Sequence, residues 1–232
     1  MERVKPEEFR DWNEEMVKKY DPDAFHRHSN PLVRFIERKR VKVIFKMMMI
    51  HQENSVLEVG CGAGNVIEKA SCGRLFAVDL SPYILLKAKD RLNQRAHLVQ
   101  ADAQMLPYKN HSFMRVICSE VLEHVLDPLA ALHEISRILK PDGLAIVSVP
   151  NEPLINQIKN VFIRLGVYQR LFQQKGDYKK MPERMEDEWH LHTFKLEGWL
   201  HLFRRYFRVT RLRGIPFFWL PLRYVIRLER IE

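Results

Sequence analysis

Three glycines and an aspartate are the residues of this sequence best placed to bind a small ligand. The segment VLEVGCGAGN puts Gly60, Gly62 and Gly64 directly after a short apolar run. Glycine at such positions permits a tight turn and lets a ligand approach the backbone closely. Asp79 lies 19 residues beyond Gly60, at the end of the next apolar run, where a carboxylate can accept hydrogen bonds from both hydroxyls of a ribose. The spacing therefore predicts a nucleoside-binding site.

Two further residues narrow the class of nucleoside. A dinucleotide site needs the pattern G-x-G-x-x-G, but the position of its third glycine is occupied by Asn65. Glu58, two residues before the first glycine, would repel a pyrophosphate and attract a cation. Both observations favour a nucleoside that carries a positive amino acid group and no phosphate, and S-adenosylmethionine meets that description.

The elements needed to position these residues alternate along the middle of the chain. Apolar runs typical of buried strands are separated by helical patterns, including SPYILLKAKDRLNQ with Ser81 as its cap, a helix over 128–141, and a helix start at NVIEKA. This alternation predicts an α/β protein with a doubly wound parallel sheet, whose ligands bind at the carboxyl ends of the strands. The predicted strands are 55–60, 74–80, 97–102, 113–120 and 144–150, followed by an antiparallel pair at 207–214 and 222–231.

Helical segments flank this core on both sides. Helices are predicted over 6–19 and from Pro31 to about Ile50, and we interpret residues 1–50 as a lid or cap. Residues 51–232 would form the catalytic domain, with a helical insertion at about 151–192, including a helix over 154–172, that covers the substrate. A further helix is predicted over 195–207.

Composition and charge exclude several classes of protein. The 232 residues are 46% hydrophobic and 29% charged, which is typical of a globular fold and not of a disordered chain. Three scattered cysteines predict neither a disulfide framework nor a zinc site built on paired cysteines, and they favour a cytoplasmic location. The charged N-terminal segment does not resemble a secretory signal, and the longest uncharged apolar run, IPFFWLPL, is too short to span a bilayer.

Positive charge is concentrated towards the C-terminal end. The net charge is +9, and residues 204–230 contain eight arginines and one acid. Such a region could meet an anionic acceptor, a nucleic acid or a membrane surface. The apolar segment 215–222 has the composition of an interfacial anchor, although packing against the sheet or against a second subunit is the favoured interpretation.

Four ordered segments resemble the class I S-adenosylmethionine-dependent methyltransferases, in the branch of the ubiquinone and menaquinone methyltransferases. They are VLEVGCGAGN, FAVDLSPYILLKAK, VQADAQMLPYKNHSFMRVICSEVLEHVLDP and ISRILKPDGLAIVSVPN, and they cover about residues 50–150. The resemblance implies a Rossmann-like sheet of seven strands, mostly parallel with an antiparallel last strand. It also implies a set of residues around the cofactor: Glu58, Gly60, Cys61, Gly62 and Gly64 at its methionine and ribose, Asp79 at the ribose, Leu80, Asp102 and Ala103 at the adenine, and Ser119, Glu120 and Val121 beneath it.

Candidates for proton transfer are fewer and weaker. His124 lies just past the fourth strand, and His190 and His192 follow the variable segment, where the resembling family often brings a histidine to the mouth of the site. Asp187 and Glu188 beside these histidines could suggest a metal, but no other ligand cluster is evident and no metal is expected. A group near the N-terminus could instead form a lid over the cofactor: Tyr20, Phe25 and His26.

Three functions stay open from the sequence. The first is direct in-line methyl transfer to a small-molecule or lipid-like acceptor, with peripheral membrane contact and a homodimer both conceivable. The second is an RNA methyltransferase that uses the basic C-terminal region, although no RNA-binding module is recognisable. The third is a non-catalytic nucleoside-binding scaffold, against which the intact motif residues argue.

Overall fold

A seven-stranded sheet organises the molecule. The computed structural model describes residues 4–26, 30–71, 73–168 and 189–231, and the strands lie in the order β3-β2-β1-β4-β5-β7-β6. The strands are β1 (Ser55–Val59), β2 (Arg74–Asp79), β3 (Ala96–Gln100), β4 (Phe113–Ser119), β5 (Leu139–Pro150), β6 (Phe207–Phe217) and β7 (Leu220–Arg230). The helices are α1 (Phe9–Tyr20), α2 (Asp23–His26), α3 (Pro31–Met48), α4 (Pro82–Leu92), α5 (Pro128–Ile138), α6 (Glu152–Arg164) and α7 (Leu196–Phe203).

The sheet confirms the predicted fold class. Strands β1 to β5 pair in parallel, and β7 lies between β5 and β6 and is antiparallel to both. The loops after β1 to β5 therefore meet at one edge, which we call the carboxyl edge. Because β7 runs the other way, its first residues reach the same edge, where Pro150 pairs with Arg223.

Local capping signals explain where three helices begin. Each has proline in its first turn, preceded by a side chain that accepts a hydrogen bond from a free backbone N–H. Asn30 accepts from Leu32, Ser81 from Ile84, and Asp127 from Leu129 and Ala130.

Both faces of the sheet are covered. Helix α3 packs on one face, where Ile44 and Met48 are fully buried, and α5 and α7 cover the other face with Leu132, Trp199 and Phe203. Within residues 1–50, α3 is therefore a layer of the core. Helix α1 instead packs near the glycine turn, in an apolar cluster that joins Val17, Ala63, Ile84 and Trp189. The boundary at residue 50 stays a prediction.

Some predicted elements have different bounds. The helix predicted at NVIEKA is a single 3₁₀ turn, Ile67–Lys69. In a regular α-helix, the Ile67 N–H would donate to the Ala63 carbonyl. Here the Ile67 N–H donates to the Glu58 carboxyl instead, and the Ala63 carbonyl accepts from Arg91. Helix α6 ends at Arg164, and residues 169–188, about half of the predicted cap, lie outside the described residues. No helix in the described ranges is long and apolar enough to cross a membrane.

Candidate functional site

One cavity at the carboxyl edge gathers most of the residues that the sequence singled out. Loops after β1 to β4, helices α1 and α3, and the start of β7 all contribute to its walls. Gly64 and His192 are the two predicted site residues that do not line it. Those that do are Glu58, Gly60, Cys61, Gly62, Asp79, Leu80, Asp102, Ala103, Ser119, Glu120, Val121, His124 and His190.

The three glycines have different roles in the turn. All have positive φ, but a Cβ on Gly60 would lie 2.3 Å from Cγ2 of Val121, and one on Gly64 would lie 3.0 Å from Cδ1 of Leu92. A Cβ on Gly62 would meet only Pro22, at 4.0 Å. Gly60 and Gly64 thus permit close packing, whereas Gly62 presents open backbone to the cavity.

Asp79 connects the turn to helix α4. The Gly62 N–H donates to its Oδ2 at 2.8 Å, and the Ser81 N–H donates to its Oδ1 at 3.0 Å. Ser81 caps α4, as the sequence predicted, so Asp79 is not the capping residue of this helix. Burial raises the pKa of Asp79 despite these hydrogen bonds.

Glu58 lies beneath the turn and is almost completely buried. Its Oε2 accepts from the Ile67 N–H at 2.9 Å. Burial raises the pKa of Glu58 to about 8, because the described residues supply too little positive charge to offset its desolvation. The carboxyl is therefore mostly protonated at neutral pH, and a cationic ligand would favour its ionised form.

Asp102 marks the far end of the cavity. Its carboxylate accepts from the backbone N–H of Gln104 at 2.8 Å and from the side-chain amide of the same residue. The Gln104 Oε1 in turn accepts from the Asp127 N–H, so the amide is fixed from both ends. Leu80 and Ala103 add apolar wall nearby, and together these groups suit a flat ring with a polar edge.

The loop after β4 contains a residue with unusual backbone geometry. Glu120 has φ of +57°, a left-handed conformation that costs a non-glycine residue free energy. Its Oε1 accepts from the Ser148 hydroxyl at 2.8 Å, and its Oε2 accepts from Arg223 Nε at 2.7 Å. Ser119 beside it accepts from Arg40, so buried contacts hold this loop in place.

Sequence reasoning missed the ion network to which those arginines belong. Arg40 Nη2 donates to Glu37 Oε2 at 2.6 Å, and Arg223 Nη2 lies 3.4 Å from Glu37 Oε1. Burial alone would raise the pKa of Glu37, but the two guanidinium groups outweigh it and lower the pKa to about 2. The available signal was Glu37 and Arg40, three residues apart beside the apolar positions of α3.

A second polar cluster lies beside β5. His190 Nδ1 is 2.8 Å from Glu152 Oε1, and both side chains are buried. With Nδ1–H donating to Glu152, Nε2 keeps its lone pair. The His124 ring lies 4.7 Å from the His190 ring, and burial lowers the pKa of His124 well below its usual value, which keeps it neutral. Glu152 is a further residue that the sequence did not suggest.

Glu123 completes this cluster. It is fully buried, neither carboxyl oxygen has a hydrogen-bond partner among the residues that the structure describes, and burial raises its pKa well above the usual value. One ligand atom from each of Glu123, His124 and His190 falls within 4.8 Å of the others, so a metal could be held here although the sequence favoured none. A protonated carboxyl at this position could instead donate a hydrogen bond into the cavity.

The remaining candidates have mixed positions. His192 Nε2 contacts the Val125 carbonyl at 2.8 Å outside the cavity lining, where it fixes the loop. Tyr20 and His26 do line the cavity, and burial lowers the pKa of His26 to about 4. The side chain of Phe25 and the residues Asp187 and Glu188 lie outside the described part of the chain.

The donor and acceptor set decides which ligand fits. Carboxyl groups at the ends of β1, β2 and β3, namely Glu58, Asp79 and Asp102, line one side of the cavity together with the open backbone at Gly62. Carboxyl groups accept hydrogen bonds from ribose hydroxyls and amino groups, and in their ionised form they attract a cationic group and repel phosphate. A nucleoside with a cationic amino acid tail therefore fits this wall, and a dinucleotide does not.

Comparisons with known proteins agree with this chemistry. A family model described as a methyltransferase domain matches residues 57–147. The demethylmenaquinone methyltransferase of Staphylococcus haemolyticus is 29% identical over 159 residues, and the alignment covers 63% of this chain and 66% of that protein, just under two thirds of its length.

Solved structures show the same fold at lower identity. An N-methyltransferase from Bradyrhizobium japonicum, in complex with S-adenosyl-L-homocysteine, has a TM-score of 0.65 at 16% identity and covers 94% of this chain and 97% of its own. An S-adenosylmethionine-dependent methyltransferase from Thermotoga maritima has a TM-score of 0.65 at 19% identity, covering 96% and 100%. The matched domain contains the glycine turn, Asp79, Asp102 and the loop after β4. Residues 57–147 of this chain therefore match a methyltransferase domain, in a fold that it shares with S-adenosylmethionine-dependent methyltransferases.

Proposed function

We propose that the cavity has two halves, one for the cofactor and one for the methyl acceptor. The cofactor half lies over β3, β2 and β1. In it, Asp102, Leu80 and Ala103 contact the adenine, and Asp79 accepts from the ribose. Gly60, Cys61 and Gly62 with Glu58 surround the amino acid tail, while Gly64 supports the turn from outside the cavity. Ser119, Glu120 and Val121 form the floor between the halves.

The acceptor half lies over β4, β5 and β7. Its polar groups are His190 with Glu152, the neighbouring His124, the buried carboxyl of Glu123 and the guanidinium of Arg223. Strand order puts these groups on the other side of β1 from Asp102, so an acceptor bound here faces the methionine end of the cofactor.

His190 is the base in this proposal. The cofactor supplies an electrophilic methyl group, and the protein must hold the acceptor atom in line with it, about 3 Å away. His190 Nε2 takes the proton of an acceptor hydroxyl as the bond to carbon forms. Glu152 fixes the imidazole and stabilises its charged form, and Glu123 donates a hydrogen bond to a neighbouring oxygen of the acceptor.

The acceptor class is a small or lipid-like molecule with an ionisable hydroxyl. The demethylmenaquinone methyltransferase named above supports a lipid-like acceptor, and the apolar side chains of Val17 and Val125 in the cavity wall fit its ring or chain. A cytoplasmic location suits the two described cysteines, Cys61 and Cys118, which are buried and unpaired.

One observation carries the proposal: a buried histidine–carboxylate pair shares a cavity with the nucleoside-binding wall. The first test is calorimetric titration with S-adenosylmethionine and S-adenosylhomocysteine, using Asp79→Ala as the control. We expect micromolar binding that the substitution abolishes. Absence of binding to the folded wild-type protein would refute the cofactor half.

The second test addresses the acceptor half. Phenols and hydroquinones with short isoprenoid chains are screened for S-adenosylhomocysteine formation, and His190→Gln is compared with His192→Gln. We expect His190→Gln to lower kcat about 100-fold or more with an unchanged cofactor Kd. His192→Gln, two residues away and outside the cavity, should retain most of the activity. Equal losses in both variants would contradict the assignment of His190.

A further inference from the structure

The hairpin between β6 and β7 ends in an exposed aromatic tip. Phe218 is 86% exposed and Trp219 is 66% exposed, and the ring of Trp219 stacks on Phe217 at 5.0 Å between centroids. Aromatic side chains usually bury large apolar areas in folded proteins. Three exposed rings on one turn, the stacked pair of Phe217 and Trp219 and the neighbouring Phe218, are therefore typical of an interaction surface.

Helix α3 extends this apolar surface. Phe35 lies 6.4 Å from Phe217 between ring centroids and is itself 45% exposed. Leu32, one turn earlier on the same face of the helix, is 56% exposed. We call the five residues Leu32, Phe35, Phe217, Phe218 and Trp219 the aromatic patch.

One basic side chain contacts the aromatic patch, and others are exposed on the same two elements. Lys39 Nζ lies 4.4 Å from the ring centroid of Phe217 and 5.7 Å from that of Phe35. Arg38 and Lys42 on α3 are exposed, as is Arg213 on the edge strand β6. Residues 30–50 and 204–228 together contain a single acid, Glu37, which is buried and paired with Arg40. The surface thus combines exposed aromatic rings with several exposed basic side chains.

The aromatic patch is at the same edge of the molecule as the cavity. Arg223, which lines the cavity, follows Trp219 by four residues along β7, or about 13 Å of extended strand. Helix α3 runs from the aromatic patch at Leu32 to the buried network at Glu37 and Arg40. Contact at the tip would therefore bring the acceptor half close to whatever the tip touches.

We propose that the aromatic patch is a docking surface for an anionic lipid bilayer, with Phe218 and Trp219 inserted at the interface and the basic side chains of α3 and β6 contacting lipid phosphates. Aromatic rings prefer the boundary between headgroups and acyl chains, and basic residues add attraction to anionic lipids. This surface does not depend on the identity of the methyl acceptor. It goes beyond the proposed function by giving the enzyme a route to acceptors that stay in a membrane.

The test is cosedimentation of the full chain with vesicles, without cofactor or acceptor. Vesicles of phosphatidylcholine alone are compared with vesicles that contain phosphatidylglycerol as one lipid in three. We expect binding to the anionic vesicles, weakened by salt, and a Phe218→Ser/Trp219→Ser variant should bind about tenfold or more weakly. Leu86→Ser is the matched control, because Leu86 is an exposed apolar residue on α4 and its loss should leave binding unchanged.

Three results would overturn the proposal. The first is absence of binding to anionic vesicles, and the second is binding of the double variant as tight as that of the wild type. The third is a dimer in sedimentation that the wild-type chain forms and the double variant does not. The last result would assign the aromatic patch to a second copy of the chain. Titration of the double variant with S-adenosylmethionine separates this proposal from the proposed function, because cofactor binding should persist whether or not the membrane contact exists.

Discussion

Cofactor affinity is expected to depend on pH through Glu58. Burial raises the pKa of this carboxyl to about 8, so the free site holds a proton at neutral pH. In the proposed complex, the cationic amino acid tail lies beside Glu58 and favours the ionised carboxylate. Binding should therefore release the proton.

The size of the effect follows from the pKa. With a value of about 8, ionising Glu58 costs about 1.4 kcal/mol at pH 7 and about 2.7 kcal/mol at pH 6. Affinity should thus increase about tenfold per pH unit between pH 6 and pH 8. It should stop increasing near pH 8, where the α-amino group of the ligand itself begins to lose its charge.

Calorimetry measures both consequences. The Kd for S-adenosylmethionine is determined from pH 6 to 8 in two buffers with different ionisation enthalpies, which gives the number of protons released. We expect nearly one proton below pH 7. Glu58→Gln should abolish most of the pH dependence, whereas Asp79→Asn should weaken binding and keep the contribution of Glu58. A constant wild-type Kd across this range, or the same slope in Glu58→Gln, would refute the reasoning.

Four shorter predictions follow from the same contacts. Between about pH 4.5 and pH 8, the Glu58 carboxyl is protonated in the folded protein and ionised in the unfolded chain. The free energy of unfolding should therefore decrease as the pH rises through this range, and thermal melts of Glu58→Gln should lack that decrease. Glu152→Gln should reduce kcat about 10- to 100-fold with unchanged cofactor Kd, measured by S-adenosylhomocysteine release; an unchanged kcat would exclude a role for Glu152 in positioning His190. Gly60→Ala should lower the free energy of unfolding, measured with denaturant, by about 2–5 kcal/mol, because of its positive φ and the 2.3 Å approach to Val121. Gly62→Ala should lower it by only about 1–2 kcal/mol, and equal losses in the two variants would contradict the packing described. Chelator treatment should leave activity unchanged, and activity restored by added zinc would show that Glu123, His124 and His190 hold a metal.

The parts of the fold that the sequence predicted depend on local signals. Proline after a capping residue marks the starts of α3, α4 and α5, and short apolar runs mark the central strands. The glycine turn and Asp79 were also predictable, because the turn directly follows β1 and Asp79 is the last residue of β2. In a parallel sheet those strand ends meet at one edge, so sequence spacing translates directly into proximity.

The rest depends on contacts between distant parts of the chain. Arg40 and Ser148 are 108 residues apart, and Glu152 and His190 are 38 apart, so no local pattern links either pair. A 3₁₀ turn follows Gly64 because the Glu58 side chain accepts the Ile67 N–H that an α-helix would use. Helix propensity along the sequence contains no information on this contact with Glu58. Exposure of the aromatic tip was not decided by the sequence either, because the composition of IPFFWLPL fits an interfacial anchor as well as a hairpin packed against the sheet.

The position of Arg223 has a consequence for the order in which the site is assembled during synthesis. β7 is the last of the seven strands to leave the ribosome, yet its Arg223 holds Glu120 in the middle of the chain and contacts Glu37 near the beginning. Until β7 inserts between β5 and β6, the left-handed backbone at Glu120 lacks the guanidinium that fixes its side chain. The floor between the cofactor and acceptor halves is therefore completed last.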